Sequence, residues 1–133
     1  MSALVKICGI KSEDTVRELA RLPVDYIGFV FAPSKRQVTP AEAAQLAAAF
    51  VEAEPVIQTQ LVGVFVNPTF QELEETLSVV PLNVVQLHGS ETPEYCRLVR
   101  DELGVKVFKA LSVPEHAEET GVSINMPDTY AGV

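Results

Sequence analysis

Lysine and arginine are scarce in this sequence: ten stand against eighteen aspartates and glutamates in 133 residues, for a net charge of −8. No basic cluster is present to meet a phosphate backbone, so no nucleic-acid partner is expected. The acids fall mostly in segments of helical periodicity, where solvated helix faces account for them. Cysteine is nearly absent. Cys8 and Cys96 are too few for a disulfide framework, and neither sits in a CxxC or metal-ligand spacing, so no metal is expected. No apolar run reaches the roughly 18 residues of a membrane span. The opening MSALVKICGI lacks the apolar stretch of a secretory signal. No membrane partner is expected, and a reducing cytoplasm is the default location. Neither a GxGxxG nor a Walker A pattern occurs, so no nucleotide cofactor is indicated.

What is present is alternation. Apolar residues make up 47% of the chain, enough for one domain with a hydrophobic core. Short β-branched runs near 4–9, 25–32, 61–66, 83–88 and 105–111 read as strands. Each is almost continuously apolar, the pattern of a parallel sheet covered on both faces. Helical patterns fill the gaps. Residues 12–22 open on Ser12 as N-cap. Residues 39–53 open on Thr39, Pro40 and Glu42, a capping box, and 69–79 repeat it with Thr69 and Glu72. Residues 92–103 open on Thr92 and Pro93 and stop at Gly104. A fifth helix is expected to start near 112–115. Five βα repeats fit two α/β architectures. One is an open doubly wound sheet, a non-catalytic binding or signalling domain of strand order 2-1-3-4-5. The other is the leading part of a (β/α)8 TIM barrel of order 1-2-3-4-5, which needs about 200 residues when whole.

In parallel α/β proteins, active sites lie at the C-terminal ends of the strands. Polar residues collect there: Lys6 and Cys8, Ser34-Lys35-Arg36, Asn67, Gln86 and His88, then Lys109. Lys6 and Cys8 are two apart and share a face, as do Gln86 and His88. A cation beside a thiol favours the thiolate, a form able to take a proton. A cysteine in an apolar strand is equally at home as a small core residue. Cys96, in mid-helix with no such neighbour, reads as core. His88 is either a site residue or a satisfied strand-end histidine. Residues 34–36 are either a solvated loop or a guanidinium placed for a carboxylate or phosphate. Gly9 and Gly89 either admit a ligand close to the backbone or make turns.

Together, KICGI at 6–10, GFVFAPSKR at 28–36, VGVFVN at 62–67, VVQLHGSE at 84–91 and KVFKA at 106–110 closely resemble the phosphoribosylanthranilate isomerase family. The match runs in order, with fitting spacing, to about residue 111. The resemblance implies a (β/α)8 barrel and a cofactor-free Amadori rearrangement in tryptophan biosynthesis. N-(5-phosphoribosyl)anthranilate becomes 1-(2-carboxyphenylamino)-1-deoxyribulose 5-phosphate. A general acid protonates the furanose oxygen and the ring opens; a general base takes the proton from C2, and the enolamine tautomerises. The resemblance makes Cys8 the base, Arg36 the holder of the anthranilate carboxylate and His88 a residue of the site's rim. Strand parity adds Lys6 as a tuning cation, with Gln86 and Asn67 in support. The family's catalytic acid, an aspartate after an aliphatic run read as LLDT, has no counterpart. Asp128-Thr129 repeats the dipeptide but follows Asn125-Met126-Pro127, which no buried strand would carry. The family's glycine-rich phosphate loops are also missing. The chain is expected to be an N-terminal portion, inactive alone. It should need a complementary C-terminal half, or self-association, across open sheet edges.

Overall fold

The computed structural model describes residues 5–109. The elements alternate: β1 (Lys6–Cys8), α1 (Glu13–Ala20), β2 (Tyr26–Val30), α2 (Pro40–Glu52), β3 (Gln60–Phe65), α3 (Phe70–Val79), β4 (Val84–Leu87), α4 (Pro93–Leu103) and β5 (Lys106–Lys109). The expected fifth helix and the Asp128-Thr129 pair lie outside the described residues. All strand pairs are parallel, in the order β1-β2-β3-β4-β5. The 2-1-3-4-5 order of the doubly wound alternative is not formed; sequential neighbours are what successive barrel units give.

The helices begin at the caps. Ser12, Thr39, Thr69 and Thr92 each accept the N–H three residues on, which satisfies a donor that the first helical turn leaves open. At α2 the box is complete, with the Thr39 N–H donating back to Glu42 at 2.8 Å. That backbone bond is the main reason the Glu42 carboxyl sits below its usual range. At α3 only the forward half forms, Glu72 N–H to Thr69 at 3.1 Å, so the second expected box is half a box. Gly104 ends α4 at φ 65°, a left-handed stop.

Side chains alternate across the sheet. Ile27, Phe29, Leu61, Phe65, Val85, Leu87 and Val107 face the helices. With Val16, Leu46, Phe50, Leu73 and Val99 they make the main core. The alternate residues face the other way, where Val62, Val64 and Val84 form a smaller cluster joined by Cys8, Tyr26, Val30 and Phe108. The sheet curls around this second face. In a flat sheet, strands three apart would be about 14 Å from each other. Yet the Lys6 ammonium on β1 hydrogen-bonds Gln86 on β4, and Tyr26 on β2 meets Phe108 on β5 edge to face, ring centroids 5.7 Å apart. The concave face is therefore the inside of an arc. One expectation fails at β1. It is not covered on both faces: Val5 is 42% and Ile7 38% exposed, because β1 is an outer strand of the sheet.

Candidate active site

Cys8 ends β1 on the concave face, a half-buried free thiol. Its partner in register is Gly28 of β2. A β-carbon at 28 would stand 2.9 Å from the Cys8 sulfur, so the glycine makes the room that the thiol occupies. Gly9 follows at φ +81°, and a β-carbon there would collide with Cδ of Arg36. Any other residue would strain the backbone and displace the arginine. The glycine of KICGI thus turns the strand and lets the Arg36 arm lie across its end. Arg36 rides on a tethered loop. Its N–H donates to Ser34 Oγ at 3.1 Å, the Lys11 ammonium donates to the Lys35 carbonyl at 3.1 Å, and Val38 N–H returns to the Val30 carbonyl at 2.9 Å. Cys8, Gly9, Lys11, Ser12, Thr15 and Arg36 line one cavity of about 400 Å³ at the C-terminal end of β1. A thiol and an exposed guanidinium, distant in sequence, therefore open onto the same space.

Lys6, Gln86 and His88 form a second group on the same face. A lysine can only donate, so the Gln86 atom that it meets is the carbonyl oxygen. The Gln86 amide nitrogen then lies 2.6 Å from His88 Nε2. Since the amide donates, Nε2 accepts, and the ring is neutral with its proton on Nδ1. A second ring proton would set donor against donor. Burial pushes the His88 pKa down first, and the charge of Lys6 pushes it further in the same direction. Lys6 shares the face of Cys8, as parity requires, but its ammonium reaches across the arc to β4. The described structure gives it no hydrogen bond to the thiol.

Asn67 and Lys109 lie elsewhere. Asn67, at φ +46°, does not line the Cys8–Arg36 cavity. Its Oδ1 accepts from Ser90 N–H at 2.9 Å and from Ser90 Oγ at 3.2 Å. Lys109 shares its face with Val107, so it points to the helices; its side chain is 2% exposed and its Nζ is 2.6 Å from Glu91 Oε1. Lys109 does end β5 as expected, but that parity takes it out of the group on the concave face. Glu91 Oε2 also accepts from Asn67 N–H at 2.7 Å. Burial alone would raise the Glu91 pKa, but the hydrogen bond from Lys109 and those from backbone N–H groups outweigh it and hold the carboxyl below its usual range. Sequence reasoning passed over Glu91. The partial signal was Lys109 in step with Val107; once the sheet register buries that face, a lysine on it demands a carboxylate. Cys96 is fully buried in α4, and burial pushes its thiol pKa up, as suits a core residue. Among the described residues no helix is long and apolar enough to cross a membrane, and no group of three or more His, Cys, Asp or Glu is placed to hold a metal.

A curled parallel sheet of sequential strands, with a thiol, a guanidinium and an imidazole at or just past its strand ends, is the arrangement of successive units of a (β/α)8 barrel. The model of the N-(5'-phosphoribosyl)anthranilate (PRA) isomerase family matches residues 5–130, and the chain belongs to that family. It is 54% identical over 114 residues to the N-(5'-phosphoribosyl)anthranilate isomerase of Brevibacillus brevis, covering 86% of this chain and 49% of that protein. A crystal structure of phosphoribosyl anthranilate isomerase in complex with reduced 1-(o-carboxyphenylamino)-1-deoxyribulose 5-phosphate aligns at TM-score 0.71 and 33% identity, over 90% of this chain and 59% of that one. Monomers generated from the dimeric phosphoribosylanthranilate isomerase of Thermotoga maritima align at TM-score 0.71 and 35% identity, over 90% and 57%. The chain spans about half the length of the curated relatives it matches.

Proposed function

We propose that this chain supplies the base and the carboxylate-holding arginine of a phosphoribosylanthranilate isomerase, and that turnover needs further βα units. Cys8 takes the proton from C2 of the ring-opened sugar. An S–H bond forms as the C–H bond breaks, and the electron pair moves toward the anilino nitrogen to give the enolamine. Arg36 grips the anthranilate carboxylate, a bidentate match for its fork. His88 lines the rim, presenting its Nδ1–H, while Gln86 and Lys6 hold its ring from behind and Asn67 braces the neighbouring loops. The observation that carries this reading is that Cys8 and Arg36 line one cavity at the C-terminal end of β1, where barrel enzymes do their chemistry.

The acid that opens the furanose is not among the residues assigned here. Among the described residues no strand pairs with the outer side of β1, and Val5 and Ile7 are exposed beside it; this supports completion by a complementary C-terminal half or by a second copy, since open edges invite pairing. A reducing cytoplasm suits the reading, because the base works as a thiolate and both cysteines are free. A fluorescence assay of substrate loss tests it. The chain alone should show no turnover, and addition of the remaining barrel units should restore it. In the eight-unit protein, Cys8→Ser should lower kcat by about 10²–10⁴-fold with KM nearly unchanged. Undiminished turnover in that variant overturns the role of Cys8. Robust turnover by the chain alone overturns the need for further units.

A further inference from the structure

We propose that the buried Glu91–Lys109 pair is a positioning device: from the helix side of the sheet it fixes the end of β4 and so holds the His88 ring against Gln86 on the concave side. Lys109 Nζ donates to Glu91 Oε1 at 2.6 Å and to the carbonyl of Gly89. Glu91 Oε2 takes the N–H of Asn67 at 2.7 Å. Three strand ends are thereby tied: β3 through Asn67, β4 through Gly89 and β5 through Lys109. Gly89 directly follows His88, whose own N–H donates to the Phe65 carbonyl at 2.9 Å. The His88 backbone is clamped on both sides, by β3 before it and by Lys109 after it. Only with the backbone so placed does Nε2 fall 2.6 Å from the Gln86 amide.

Stability alone does not call for such a pair. Both side chains are 2% exposed, and a well-packed apolar pair of similar volume is often as good or better for the fold. What an apolar pair would lack is the directed bonds to Gly89 and Asn67. The inference rests on the isomerase reading only for what His88 is used for, and its test needs no substrate.

Position and charge predict opposite outcomes at Glu91 and the same one at Lys109, so Glu91 decides. The charged groups that act on His88 are Lys6, Glu91 and Lys109; by charge alone Glu91 favours a protonated ring, while Lys6 and Lys109 oppose it. Loss of the Glu91 charge would lower the ring's proton affinity, and loss of the Lys109 charge would raise it. Release from the clamp raises it in both cases, because the ring leaves the Gln86 donor and gains water. The 133-residue chain has two histidines, His88 and His116, so a His116→Gln background leaves one imidazole to follow by ¹⁵N NMR titration. In that background Glu91→Gln and Lys109→Met should both move the His88 midpoint up and abolish the Nδ1–H tautomer signature. A downward shift in Glu91→Gln, or an unmoved His88 in both variants, overturns the proposal. If a single variant loses its folded amide spectrum, the double variant Glu91→Gln/Lys109→Met, which leaves no lone buried charge, decides. A released His88 there supports the clamp, and an unmoved one overturns it.

Discussion

The two faces of one sheet differ in what they carry. Toward the helices, Ile27, Phe29, Val85 and Leu87 are sealed in a core that every helix joins. The ion pair of Glu91 with Lys109, on the helix side of the sheet, has both side chains only 2% exposed. Toward the concave side, the same strands present Lys6, Cys8, Gln86 and His88 around a cluster of three buried valines. Residues one apart in the chain therefore serve different ends, stability on one face and chemistry on the other. A slip of one residue in register would exchange them.

The largest expected effect of breaking that division is on stability. Phe29 is fully buried on the helix face, and Phe29→Ala should cost about 3–5 kcal/mol through lost burial and the cavity left behind. Val64, in the smaller concave cluster, loses only two methyl groups in Val64→Ala, for about 1–2 kcal/mol. Urea denaturation of the two variants compares them directly. Equal losses would show that the concave face is as much a core as the helix face. A smaller effect, confined to the concave side, follows at Arg36. In the eight-unit protein Arg36→Ala should raise KM by about 10–100-fold, the worth of a charge-assisted contact of roughly 1.5–3 kcal/mol, with little change in melting temperature since the side chain is exposed. Steady-state kinetics with an unaltered KM would separate Arg36 from the substrate.

Much of this division was legible before any coordinates. The four cap residues place the helix starts, because a Ser or Thr that satisfies an open N–H has a local cause. Parity places Lys6 with Cys8, and Gln86 with His88, because alternation is a property of any strand. What parity does not reveal is which face turns inward. Lys109 went astray for that reason: its face is settled by the register of β5 on β4, not by VKVFK alone. The reach of Lys6 was hidden too, since contact with Gln86 depends on the curl of the whole sheet. Gly28 looks like a weak point in a strand until the pairing with Cys8 shows what a β-carbon there would strike.

The finest effect separates the two faces by pH. The folded chain holds the His88 pKa below 6.5, first by burial and then by the charge of Lys6. Above pH 6.5 the ring is neutral in folded and unfolded chains alike. As pH falls below that, the unfolded chain takes the proton first, so stability declines until the folded pKa is passed. Glu91 behaves likewise around a lower value. Its folded pKa lies below 4.5, so the Lys109 bond contributes in full above that pH and is lost as pH falls through the folded pKa. Stability measured against pH should therefore decline in two stages, the concave face first and the helix face second. His88→Gln should flatten the first stage and leave the second, and Glu91→Gln should lower stability at neutral pH while removing part of the second. Only part of His88 is withdrawn from water and the residue as a whole stays exposed, so the first stage is shallow, and the difference between parent and variant is the quantity to follow. A His88→Gln curve that parallels the parent between pH 7 and 5 would mean that the ring meets no penalty for its proton, and the donor-facing geometry at Gln86 would be wrong.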